Sequence, residues 1–238
     1  MSEHLLEGDP PVAVSLRRSA RARRLSLRVS RLDGRVTLTL PRGASEAEAL
    51  DFARSKADWL RGVLARAAPV VPVTHGCDLP VAGQLLRLIP APVRAARVEG
   101  AALLVPRDPG RAGRAAAAYL KLVARAALVA ATDRHAAALG RPHAGITLRD
   151  TRSRWGSCTH EGRLMFSWRL AMAPPSVLDY VAAHEVAHLA EMNHGPRFWA
   201  HVARLMPGYE AHRRWLRREG DALMRYDFAA ASAADGRD

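Results

Sequence analysis

Cysteine is scarce in this 238-residue chain: Cys77 and Cys158 stand alone, far apart and outside any C-x-x-C pair. That excludes a disulfide framework and a cysteine-based metal site, and free thiols fit a reducing compartment. Lysine is nearly absent too, with Lys56 and Lys121 the only two among 36 Lys+Arg residues. An arginine-rich, alanine-rich chain is what a GC-rich genome encodes, so part of the basicity records codon composition. Long apolar runs are missing. Leu122 to Ala131 is broken by Arg125 and falls short of the roughly 20 clean residues of a membrane span. The opening MSEHLLEGDPP is acidic and has no signal-peptide core, so a cytoplasmic protein is expected. What is present is a profile of 49% hydrophobic and 25% charged residues with a net charge of +13, which describes a folded domain and excludes a disordered or fibrous chain. At this length roughly 70–75% of the unfolded chain's surface can be buried, so neither disulfides nor metal is needed merely to hold a core together.

Eight arginines fall between residues 17 and 35 (Arg17, Arg18, Arg21, Arg23, Arg24, Arg28, Arg31, Arg35). Such a cluster is either a solvated basic face or a footprint for nucleic acid, nucleotide or an acidic partner. Leu25, Leu27, Val29 and then Val36, Leu38, Leu40 alternate with polar residues around Asp33-Gly34, which predicts a β-hairpin. Ser45-x-x-Glu48 is a capping box opening a helix to about residue 66. Short apolar runs at 85–89 and 101–105 predict further strands. A long helix is expected over 111–139, a strand at 146–148, strand-like alternation over 163–172, and a helix from Pro175 to about Asn193 with two more beyond. The expected organisation is a β-rich N-terminal region with one helix (1–108), a catalytic domain (109–228) and a flexible tail (229–238).

The chemistry-bearing stretch is His184-Glu185-Val186-Ala187-His188. On a helix, residues i and i+4 share a face, so two imidazoles can converge on one ion, while Glu185, about 100° round, can reach a metal-bound water. His194 follows where Gly195-Pro196 ends the helix and can complete three neutral ligands, leaving a fourth position open. In a chain of this composition the H-E-x-x-H pattern arises by chance roughly 2% of the time.

Arg154-Trp-Gly-Ser-Cys158, Trp168-Arg-Leu-Ala-Met-Ala-Pro174, Tyr180-Val-Ala-Ala-His-Glu-Val-Ala-His-Leu189 and Met192-Asn-His-Gly-Pro-Arg-Phe-Trp199 together resemble the signature of the YgjP-like metallopeptidases, a family related to SprT-like and WLM zinc proteases. The resemblance implies an α+β fold, a zincin-like catalytic domain, with His184, His188 and His194 as Zn2+ ligands and Glu185 as general acid/base. It implies a zinc hydrolase acting on peptide bonds of a protein or peptide substrate. A metal-dependent, UTP-type nucleotide pyrophosphatase on the same site is the alternative, and a nucleic-acid module with structural zinc is a third reading that an intact Glu185 opposes.

Oxyanion donors could come from Arg152, Arg154, His160, Tyr180 or Tyr209, each of which has a structural role as its plainer reading. Asp179 or Glu191 could orient ligand imidazoles. His201 and His212 read as surface positions. Arg154–Cys158 is expected to turn tightly at Gly156 with Trp155 in the core and Cys158 a buried thiol, not a nucleophile; the competing reading is a strand edge beside the cleft. Phe198, Trp199, Val202 and Leu205 recur at helical spacing and should pack their helix on the motif helix.

Overall fold

Val12, Val14 and Leu16 point one way along β2 (Val12–Arg18) and Val36, Leu38 and Leu40 do the same along β4 (Val36–Leu40), all six buried. That alternation builds the first core. In a computed structural model describing residues 2–30, 34–65, 69–151 and 153–229, the chain is α+β and divides into two compact units, Met1–Val70 and Val71–Asp238. The first unit is a four-stranded sheet. Its order is β1 (Ser2–Leu6), β2, β4, β3 (Ser26–Val29), with β3 and β4 forming the expected antiparallel pair and β2 parallel to β4. Asp33 of the expected turn lies outside the described residues.

The capping box is present: the Glu48 N–H donates to Ser45 Oγ (3.2 Å) and the Ser45 N–H donates to Glu48 Oε2 (3.0 Å). It opens α1 (Glu46–Ser55), and a break at Lys56 then starts α2 (Ala57–Ala65), so the one helix expected there is two. Ala49, Ala53 and Leu60 close over the sheet. Strands β1 and β2 were not anticipated, because Glu3, His4, Arg17 and Arg18 dilute their alternation.

The second unit has a core of its own. Strands β6 (Asp78–Val81), β7 (Gln84–Ala91), β9 (Ala102–Pro106) and β8 (Arg97–Glu99) form one sheet in that order. Helix α3 (Pro109–Leu139) shares a single apolar cluster with it, joining Leu79, Leu88, Leu103 and Val105 to Ala112, Ala116, Leu120 and Leu128. The division drawn at residue 108 from sequence therefore falls inside this unit, where sheet and helix are bound by shared burial. By length and composition α3 could cross a membrane, although no unbroken apolar run reveals it. Its small residues let it lie close to strands: a Cβ on Gly113 would meet the Val73 and Phe228 carbonyl oxygens at 2.8 and 2.7 Å.

The C-terminal elements of the second unit carry the site. β10 (Gly145–Arg149), β12 (Arg163–Ser167) and β11 (Gly156–Cys158) form a three-stranded sheet with β11 at an edge, and α4 (Pro175–Ala187), α5 (Pro196–Leu205) and α6 (Tyr209–Leu223) complete the unit. The alternation expected over 163–172 is strand only as far as Ser167. Trp168–Met172 is a 3₁₀ turn with all five residues buried, so outward-facing residues no longer mark its period. Arg169 is buried there; it donates to Asp150 Oδ1 (2.6 Å) and to the Leu223 and Tyr226 carbonyls, tying α6 and β13 (Tyr226–Asp227) to the end of β10. β13 pairs with β5 (Val71–Pro72). Of the expected tail, 230–238 lie outside the described residues.

Candidate metal centre

Pro174 and Pro175 start α4, where a missing N–H costs nothing because the first turn has no partner for it. The helix stops at Ala187, six residues earlier than expected, with Leu189 N–H bonded to the Val186 carbonyl at 2.9 Å in a tightened last turn. The early stop has a consequence for ligation. His184 projects from the helix, His188 caps its end, and the chain returns within six residues to bring His194 beside both.

The nitrogens of His184, His188 and His194 lie within 4.8 Å of one another, and Nε2 of His194 is 3.2 Å from Nε2 of His184. Four ligands around zinc at about 2.05 Å define a tetrahedron with edges of about 3.3 Å, so this spacing fits a bound ion. The tautomers fit as well. His188 Nδ1–H donates to the Glu191 carbonyl at 3.1 Å, which leaves Nε2 with its lone pair free. Burial drives His184 down to about 3, assisted by His188, His194 and Arg213, and burial also lowers His188. Both are held as neutral imidazoles, the form that binds metal.

Phe198 on α5 fixes the ring cluster. Its ring centroid is 4.9, 4.4 and 4.7 Å from those of His184, His188 and His194. Phe198 and Val202 are buried and Trp199 and Leu205 pack against the same core, as the helical spacing predicts. Trp199 adds a polar tie, its Nε1–H donating to the His194 carbonyl at 3.1 Å. It stacks on Tyr209 (5.5 Å, 11°), Tyr209 stacks on Tyr180, and the Arg213 guanidinium lies 4.2 Å above the Trp199 ring.

Glu185, next to His184 on α4, is buried against β11, where burial pushes its carboxyl up to about 8 against the smaller downward pull of Arg154. A carboxylate of raised proton affinity suits a proton acceptor working near neutrality. Gly156 makes the place. A Cβ there would sit 2.6 Å from Glu185 Cγ and 2.6 Å from Oε1. The glycine read as a turn is thus a strand residue whose missing side chain admits the carboxylate. Trp155 is half-buried and packs on Gly220 of α6. Cys158 is half-buried rather than enclosed, and burial with the nearby Glu185 charge raises its thiol to about 11, which excludes a ready thiolate nucleophile.

The remaining candidates separate. Tyr180 lies beside His184, with centroids 5.9 Å apart, and Tyr209 stands one ring farther out. His160 shares with His188 a cleft of about 430 Å³ that Arg141, Leu189 and Met192 also line. Arg154 is exposed, and Arg152 lies outside the described residues. Asp179 bonds His135 Nε2 (2.8 Å) and Arg134, both on α3. Glu191 does orient His188, but through its main-chain carbonyl, a role no side-chain pattern announces.

Against this geometry, a family model described as YgjP-like, metallopeptidase domain, matches residues 23–219. No curated protein matches. Among solved structures, the crystal structure of the metallopeptidase zymogen of Pyrococcus abyssi abylysin is similar at 17% identity and a TM-score of 0.35, covering 38% of this chain and 93% of that one.

Proposed function

Since the chain belongs to the YgjP-like metallopeptidase family, we propose that it is a zinc-dependent peptidase in which His184, His188 and His194 hold the ion and Glu185 moves the proton. The observation that carries this reading is the convergence of three imidazole nitrogens beside a carboxylate enclosed by Gly156. Bound zinc would supply a Lewis acid and lower the pKa of water toward neutrality. Glu185 takes up the proton given off by the attacking water and hands it to the leaving amine nitrogen. β11 is an edge strand, and its free side supports main-chain pairing with an extended peptide that would pass in front of Glu185. Tyr180, beside His184, and His160, in the cleft shared with His188, are the candidates for donating to a developing oxyanion.

A nucleotide pyrophosphatase finds no support in the site, since its donors are imidazole nitrogens and not the carboxylate oxygens that magnesium takes. The free thiols of Cys77 and Cys158 support a reducing, cytoplasmic setting. The test is metal analysis of the purified protein together with Glu185→Gln. About one zinc per chain should be found in both proteins, and peptide hydrolysis should fall by about 10²–10⁴-fold in the variant. Unchanged hydrolysis by Glu185→Gln, or wild-type protein that takes up no zinc, defeats the reading.

A further inference from the structure

The first unit carries a surface to which the proposed peptidase reading assigns no role. Between residues 17 and 42 there are nine arginines and one acidic residue, Asp33. Codon composition can explain how many there are, but the strand register decides where they stand. On β2 and β4, Val12, Val14, Leu16, Val36, Leu38 and Leu40 fill the core, so the intervening positions form the opposite face of the sheet. There Arg17 is in register with Thr39, and Thr39 with Ser26; Ser15 is in register with Thr37, and Thr37 with Arg28.

Arg17 and Arg28 are therefore about 12 Å apart across two strand spacings and one two-residue step, with hydroxyl-bearing side chains between them. The connection from β2 to β3 adds Arg21, Arg23 and Arg24. All five arginines are exposed, and none pairs with a carboxylate among the described residues. Arg18 differs, its guanidinium being bonded to the Ala44 carbonyl. Glu3 stands at the far end of one row, on β1, which confines the positive area to the β2–β4–β3 side.

We propose that this sheet face and the arginine-rich connection beside it bind the phosphate backbone of double-stranded nucleic acid without reading its sequence. Guanidinium forks and hydroxyl donors recognise phosphate oxygens. Strands β1–β4 contain no Phe, Tyr or Trp, so the face has no platform on which unpaired bases could stack, which favours a duplex over a single strand. The surface is a property of the first unit and does not depend on the metal reading.

The experiment measures binding of the full chain to labelled 20-base-pair DNA and RNA duplexes across a salt series. Five phosphate contacts predict that log K falls with log salt at a slope of about −4.5. Replacing Arg17, Arg21, Arg23, Arg24 and Arg28 with Gln should lower affinity at least tenfold and flatten the slope. The same number of replacements at Arg54, Arg87, Arg97, Arg114 and Arg218 should leave the slope within about one unit of wild type. If circular dichroism shows the cluster variant misfolded, Arg17→Gln/Arg28→Gln serves instead, with a slope reduced by about 2. Glu185→Gln should bind duplex like wild type, so failure here and failure of the peptidase reading remain distinct. Equal loss in the control variant, no loss in the cluster variant, or tighter binding of a single strand or of polyglutamate overturns the proposal.

Discussion

Gly156 exerts its effect through an atom it lacks. Adding one methyl group at that position would place carbon within bonding-clash range of the Glu185 side chain, and neither the strand backbone nor a carboxylate enclosed on α4 can give way freely. We expect Gly156→Ala to retain metal, since the added methyl meets Glu185 and Gly156 lies outside the 184–194 stretch, while losing about 10²-fold in turnover through misplacement of the proton acceptor. Loss of metal in step with activity would contradict this division. The same residue marks the limit of reading at this scale. Histidines four apart and a third just before a glycine-proline break were legible as a pattern, because the i,i+4 spacing is a local helical property and the third follows within six residues. The place that Gly156 leaves for Glu185 was not, since it depends on a strand and a helix meeting through the fold.

At the scale of elements, α3 and α4 are joined by Asp179, which bonds His135 and Arg134. Burial raises the Asp179 carboxyl, but the His135 hydrogen bond and the charges of His135 and Arg134 outweigh it and hold the group below its usual 3.8. A carboxylate whose pKa is depressed on folding stabilises above its unfolded value, and that contribution disappears as pH falls through the folded value. Asp179→Asn should therefore cost about 1 kcal/mol at pH 7, discounted for the exposed Arg134, and the difference should be smaller at a pH below the group's usual 3.8. Urea titrations at the two pH values check this, and an equal deficit at both would show that packing, not charge, sets the effect. Legibility among elements follows burial. The capped α1, the hairpin of β3 and β4 and the long α3 declared themselves through one-sided patterns. The 3₁₀ turn at Trp168–Met172 did not, because a segment buried on every side has no polar face to give its period.

The whole chain is two units with separate cores, and all three candidate ligands belong to Val71–Asp238. Zinc at about 100 times its dissociation constant should stabilise that unit by about 2.7 kcal/mol. Amide exchange should slow in α4 and α5 and stay unchanged in β1–β4; slowing throughout both units would refute a confined linkage. The boundary expected at residue 108 follows turns and a change of composition, whereas the compact units divide after Val70, according to which strands share a core with α3.

The coordination set and the proton acceptor's enclosure differ in how far apart their parts lie along the chain. All three candidate ligands come from one uninterrupted stretch, 184–194, while the wall around Glu185 arrives on β11 from outside it. Damage therefore has an order. On the proposed reading, mild denaturation that parts β11 from α4 should silence hydrolysis first and leave a chain still able to capture metal, so that an inert, metal-laden state would precede the unfolded one.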